Sequence, residues 1–178
     1  MIDIYQFLAD HHIEYDRHDH PPVFSCEEAD RLVPSLPAAK TKNLFLRDRK
    51  GRRHFLVVVA YEKVVDLKAL SSCLAVSKLS LASPERLRKY LGVDPGSVTI
   101  LGLLNDSNGE VEVVVDEDLW SSEALRCHPL VNTSTLVMST ENIGRFLAIT
   151  GHKVRILNIP NKNKNRSERV GGENCCRD

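Results

Sequence analysis

Lys42 and Asn43 stand together where a loop gives way to the apolar run Leu44-Phe45-Leu46. A lysine there can hold a phosphate as a compact point charge, and an asparagine can orient a hydroxyl or carbonyl. The same pair is also ordinary loop chemistry. A second candidate is His128, followed by Pro129. The residue before a proline is held extended, and its imidazole could relay a proton or orient a water. It could equally be a satisfied ring near a sheet edge. Cys127 beside it invites a Cys/His nucleophile reading, but neighbours on an extended chain point to opposite faces.

The stretch Gly92-Val93-Asp94-Pro95-Gly96-Ser97-Val98-Thr99, followed by Gly102-Leu103-Leu104-Asn105-Asp106, places glycines close to expected strand ends. Glycine lets a backbone approach a ligand, and exposed amides there could stabilise an oxyanion. Asp-Pro-Gly is also plain turn chemistry. No CxxC or HxxxH spacing occurs, and Cys175-Cys176 lie in the polar tail, so no metal site is expected. No phosphate-binding glycine loop, dinucleotide fingerprint or GxSxG elbow is present.

The elements that must position these residues follow from periodicity. Ile4, Tyr5 and Leu8 share a helical face. Ile13 and Tyr15 alternate like a strand, and His20-Pro21-Pro22 stops any regular element. Ser25 and Glu28 form a capping-box pattern for a helix to about Val33. Asn43–Arg47 and His54–Ala60 read as a hairpin, the second strand apolar on both faces and therefore central. Asp66 caps a helix carrying Leu67 and Leu70. Ser83-Pro84 starts another, with Leu87 and Leu91 inward and Gly92 at its end. Val98–Leu101 reads as a strand, Asn108-Gly109 as a tight turn into Val111–Val115, and Leu130–Met138 as a further strand. Ser139 or Thr140 caps a helix with Ile143, Phe146 and Leu147 inside, and Val154–Leu157 is a last strand. The order has no regular βαβ alternation, so the expected class is α+β with a mixed, largely antiparallel sheet.

The chain of 178 residues suits one domain, with 42% hydrophobic and 27% charged residues. Formal net charge is zero, so any RNA contact must come from a local basic patch. No apolar run approaches a membrane span, and Met1-Ile2-Asp3 does not read as a secretory signal. Five cysteines without framework spacing suit a reducing compartment, so a cytoplasmic location is expected. The folded domain is expected over residues 1–160. A disordered polar tail is expected over 161–178, in which five basic residues face three acidic ones.

Taken in order, these stretches resemble the YbaK/prolyl-tRNA-synthetase-associated editing domain family, in its ProX/PrdX-type branch of free-standing alanyl-tRNA(Pro) deacylases. The carriers are His20-Pro21-Pro22 with Ser25-Cys26-Glu27-Glu28-Ala29, Lys42-Asn43-Leu44-Phe45-Leu46, the two glycine stretches above, and His128-Pro129-Leu130-Val131-Asn132. The resemblance runs from about Leu8 to about Ile156. It implies a partly barrel-like sheet with surrounding helices and hydrolysis of alanine wrongly attached to tRNA(Pro). The substrate partner would be mischarged tRNA, with prolyl-tRNA synthetase as a further partner and no cofactor, membrane or DNA. Lys42, Asn43 and His128 match the family's site residues, and Gly102 and Asn132 fall where backbone and polar lining of the site would lie. Ile100-Leu101 stand where family members often carry proline and phenylalanine, which leaves cysteinyl-tRNA(Pro) deacylation as the rival specificity. From another class, the rival is a non-catalytic tRNA- or synthetase-binding module.

Overall fold

Asp3 caps the first helix, α1 (Ile4–Asp10), its carboxylate accepting from the N–H groups of Tyr5 and Gln6. Such a cap satisfies amides that have no partner inside the helix. The computed structural model describes residues 3–23, 28, 31–32 and 36–162. Of the helix expected after Ser25, only Glu28, Arg31 and Leu32 fall among these, and all three are helical; the cap itself and the tail beyond Lys162 lie outside the described residues.

Two sheets organise the chain. The smaller has the order β1-β7-β6, from β1 (Asp16–Asp19), β6 (Ala124–Cys127) and β7 (Ser134–Ser139), all antiparallel. The larger has the order β4-β2-β3-β5-β8, from β2 (Thr41–Asp48), β3 (His54–Ala60), β4 (Leu79–Leu81), β5 (Val111–Asp116) and β8 (Val154–Leu157). Its β2–β3 and β2–β4 pairs are antiparallel, while β3–β5 and β5–β8 are parallel. The sheets join at Ala39, whose N–H donates to Ala124 at 2.9 Å and whose carbonyl accepts from Arg126 at 3.0 Å. The mixed, largely antiparallel α+β class is the one expected.

Strand β3 is central, as its apolar run requires: every residue from His54 to Val59 is buried. Pleating sends alternate side chains to opposite faces. Phe45, Leu56, Val58, Val113 and Val115 enter the larger core, beneath α1, α3 (Pro84–Leu91) and α5 (Thr140–Ile149). Leu46, Phe55, Val57, Val59 and Val114 enter the smaller core, covered by α2 (Leu67–Cys73). Asp66 caps α2 and Ser139 caps α5, as expected. Gly92 ends α3 in the left-handed conformation at φ 65°, which costs glycine nothing.

Three expectations change, the first being that the strand expected at Ile13 and Tyr15 begins only at Asp16. Val98–Leu101 is not a strand; a 3-10 helix runs from Ile100 to Asn105 instead. Thr99 diverts the chain, its Oγ1 accepting from the Leu101 N–H at 3.3 Å, so local capping wins over β-propensity. The expected strand from Leu130 begins only at Ser134, because Leu130 has a φ of 65° and sits in a turn. The turn at Asn108-Gly109 is present, with Gly109 at φ 63°, and the strand after it pairs in parallel with β3. The short elements β4, β6 and α4 (Glu117–Trp120) carry too few residues to show a period.

Candidate functional site

Strand β2 sends Lys42 and Asn43 to opposite faces, because successive residues of a strand alternate. Asn43 lies on the Phe45 side and lines a cavity of about 220 Å³. Its other walls include Phe45, Ala82, Pro84, Leu87 and Val98. The Asn43 Oδ1 is buried there and has no hydrogen-bond partner. Lys42 turns the other way, its Nζ donating to the backbone carbonyl of Lys63 at 2.5 Å. Behind it, Lys63 Nζ lies 2.6 Å from Asp116 Oδ2 and donates to the Ile159 carbonyl at 2.9 Å. The other Asp116 oxygen accepts from the Ile159 N–H at 3.2 Å.

The His128 segment is brought alongside through β6. The Thr41 hydroxyl donates to the Arg126 carbonyl at 2.7 Å, and the bridge just upstream, Ala39 to Leu125, is parallel. Asn43 and His128 each follow that contact by two residues. His128 Nδ1 is 3.2 Å from the Ser134 carbonyl; a carbonyl only accepts, so Nδ1 carries the proton and Nε2 keeps a lone pair. Burial pushes the His128 pKa below the ordinary histidine value, and nearby His20 lowers it further against the opposing Ser134 bond. The ring is therefore neutral at neutral pH.

Asn132 donates from Nδ2 to the Val23 carbonyl at 3.1 Å, and its own carbonyl accepts from the Val23 N–H at 3.0 Å. It ties the His20–Val23 segment to the loop after His128. His20 belongs to this group: its Nε2 is 3.0 Å from Thr135 Oγ1. The His20-Pro21-Pro22 motif was the available signal for it. Gly102 is the departure. Its N–H donates to the Thr99 carbonyl at 3.0 Å, and a Cβ there would meet Leu91 Cβ at 3.1 Å. Gly102 is buried and does not line the Asn43 cavity, so its amide is spent on the 3-10 helix and its smallness serves packing against α3.

Cys127 is 3% exposed and its thiol is pushed up to about 12 by burial. It has no thiolate to offer at neutral pH. Among the described residues no group of His, Cys, Asp or Glu is arranged to hold a metal ion.

Fold and site define a small α+β domain in which Asn43 lines an apolar-walled cavity, Lys42 leaves β2 on the other face and His128 follows β6 near the junction of the two sheets. The aminoacyl-tRNA editing domain family matches residues 20–146, and the chain belongs to that family. It is 38% identical over 147 residues to the prolyl-tRNA editing protein ProX of Acetoanaerobium sticklandii, covering 83% of this chain and 90% of that one. It is 37% identical over 159 residues to the prolyl-tRNA synthetase associated domain-containing protein 1 of Danio rerio, covering 88% and 86%. Among solved structures it resembles one described as a candidate trans-editing enzyme for prolyl tRNA synthetase. That match has a TM-score of 0.64, 22% identity, and covers 86% of this chain and 93% of that one; at that identity it supports the fold alone.

Proposed function

We propose that this protein is a free-standing deacylase that hydrolyses the ester of alanine mischarged onto tRNA(Pro). The observation that carries the reading is the cavity at Asn43, small, apolar-walled and furnished with an unpartnered polar atom. Apolar walls with one open polar atom suit the aminoacyl end of a charged tRNA, and discrimination against the proline ring would then come from the shape of the walls, the sieve logic of editing sites. Family membership and the name of the ProX relative support the same activity.

An aminoacyl ester on ribose is already activated, so water suffices as nucleophile. Its oxygen adds to the carbonyl carbon, the carbon–oxygen bond to ribose breaks, and the ribose oxygen takes a proton. The amino acid leaves as a carboxylate, releasing a proton to solvent. In this reading Lys42 holds the phosphate of the terminal nucleotide and the neighbouring ribose hydroxyl orients the water. Neutral His128, with its Nε2 lone pair, positions the substrate. A substrate that reaches both Lys42 and the cavity must straddle the edge of β2, since the two side chains leave it on opposite faces. Work in the cytoplasm beside prolyl-tRNA synthetase fits this role; no helix among the described residues is long and apolar enough to cross a membrane.

The test is single-turnover deacylation of tRNA(Pro) carrying alanine, cysteine or proline. Alanyl ester should disappear fastest and prolyl ester should persist. Faster loss of cysteine would reassign the amino acid, because one sulfur is weakly discriminated by an apolar pocket. Binding without loss of any ester would leave a tRNA-binding module.

A further inference from the structure

The hydrogen-bond ladder along β2 has a gap at Asn43. Toward β3 the ladder is continuous. Tyr61 N–H donates to the Lys40 carbonyl at 3.0 Å and Asp48 N–H to the Arg53 carbonyl at 3.1 Å, and the register between them holds Lys42 opposite Val59 and Leu44 opposite Val57. In an antiparallel pair, bonded and non-bonded positions alternate. Even-numbered residues of β2 therefore face β3 with their peptide groups, and odd-numbered residues face the opposite edge.

That edge has two different neighbours. Phe45 is met by Ala82, whose N–H donates to it at 2.9 Å, and β4 continues the pairing to Asp48. Upstream, Ala39 is met by β6 and the Thr41 hydroxyl takes up the Arg126 carbonyl. Asn43 falls between the departure of β6 and the arrival of β4. Neither neighbouring strand pairs with it on that side, and no turn, loop or cap bond among the described residues reaches its peptide N–H. Its side-chain Oδ1 is likewise buried without a partner, in the same apolar-walled cavity. A buried polar group left unpaired costs about 1–3 kcal/mol, and such groups are rare enough to need a reason. Here one residue leaves both an acceptor and a donor open at a single place.

We infer that Asn43 clamps the substrate at two points, its peptide N–H donating to the ester carbonyl oxygen and its Oδ1 accepting from the α-ammonium group. The inference rests on the deacylase reading and assigns the oxyanion donor that the Gly102 amide, already bonded to the Thr99 carbonyl, cannot supply. An α-amino ester carries a cationic donor and a carbonyl acceptor on adjacent carbons, which matches the open pair on one residue. As water adds, the carbonyl π electrons move onto oxygen and the bond from the Asn43 N–H strengthens. A substrate with an acylated nitrogen keeps one N–H donor but loses the positive charge, so its bond to Oδ1 weakens.

The test compares alanyl-tRNA(Pro) with lactyl-tRNA(Pro), in which a hydroxyl replaces the ammonium, each rate taken relative to its spontaneous hydrolysis. A hydrogen bond to a charged group is worth about tenfold to about a hundredfold. The full chain should favour the alanyl ester by that factor, and Asn43→Ala should bring the ratio close to one. Asn43→Pro removes the N–H at a position off the ladder, where proline is tolerated in a strand; a variant that melts like the wild type should hydrolyse neither ester. Asn43→Ala that keeps the preference, or slows both esters equally, overturns the Oδ1 contact. Asn43→Pro with a normal melting curve and normal turnover overturns the N–H contact. A wild-type chain that clears alanine without preferring it to lactate overturns the clamp and leaves the deacylase standing, whereas one that accelerates no aminoacyl ester overturns both.

Discussion

The two faces of β2 treat buried polar groups in opposite ways. Behind Lys42, the Lys63 ammonium and the Asp116 carboxylate meet at 2.6 Å, and the Ile159 backbone bonds to both. Behind Asn43, an amide oxygen is buried beside a cavity with no partner. A completed polar network adds rigidity and fixes one arrangement; an incomplete one weakens the fold until something fills it. On the proposed reading the open face takes the aminoacyl group, Lys42 reaches the phosphate from the rim of the closed face, and the Lys63–Asp116 pair behind it serves stability. Different substitutions should separate the two roles.

The largest effect is expected on the closed face. Asp116 is 1% exposed, and its loss leaves the Lys63 ammonium facing no carboxylate. Removing one member of a buried ion pair costs about 3–5 kcal/mol. Asp116→Ala should lose that much in denaturant melts, while Asn43→Ala should lose little or gain, because it deletes an unsatisfied acceptor. Equal losses at the two positions would end the contrast. Lys42 tests the join between the faces. Its ammonium makes one bond to a backbone carbonyl, worth about 1 kcal/mol, yet phosphate anchoring makes turnover fall on the order of 10²-fold in Lys42→Ala. Single-turnover rates beside a melting curve measure both, and a near-normal rate removes Lys42 from the site.

A smaller effect concerns pH. Burial lowers the pKa of both His128 and His54. The folded rings thus resist protonation below the ordinary value of about 6.5, while the unfolded chain takes up protons there. Their contribution to stability is complete above that pH and is lost as pH falls through the lowered folded values. Melting temperature should be level from pH 8 to 7 and decline below about 6.5. Turnover should hold to a lower pH, failing only as His128 itself protonates. An activity limb centred above the ordinary histidine value would contradict a neutral, buried His128.

Much of this was legible in the sequence because it depends on local pattern. The apolar run from Phe55 to Ala60 marked the central strand, and Asp66, Ser139 and Gly92 marked helix ends through short-range chemistry. Lys42, Asn43 and His128 are proposed for the site through their motifs, and the structure adds that Asn43 lines a cavity and that His128 is held by the Ser134 carbonyl. What escaped depends on contacts between distant segments. Gly102 looked like an oxyanion residue because glycines near strand ends often expose amides; only the packing of Leu91 and the Thr99 carbonyl shows that its own is spent. The ladder gap at Asn43 is set by where β4 arrives and β6 departs, two short strands with no period to read. The Lys63–Asp116 pair links residues 53 positions apart, beyond any local signal.

The smallest effect is expected from the C-terminal segment. The sequence set the end of the folded part at Pro160, but Asn161 bridges to Val65, and the Lys162 N–H donates to the Val64 carbonyl at 2.8 Å. A cut after Pro160 would therefore disturb the strap that carries Ile159 to Lys63 and Asp116. A cut after Lys162 avoids that and removes Lys164, Arg166, Arg169 and Arg177 together with Glu168, Glu173 and Asp178. Four basic residues against three acidic ones leave a slight positive excess. Basic residues gain affinity by releasing counterions from phosphates, with a slope in log salt of about 0.7–0.9 for each phosphate neutralised. Removing residues 163–178 should therefore raise KM by less than about tenfold and reduce the salt slope by no more than about one. It should leave saturated turnover, and the Asn43 preference for the alanyl ester, unchanged. Deacylation at two salt concentrations, with and without the segment, measures all of these. Identical slopes would show that the segment does not touch RNA, and a fall in saturated turnover would place part of the site beyond Lys162.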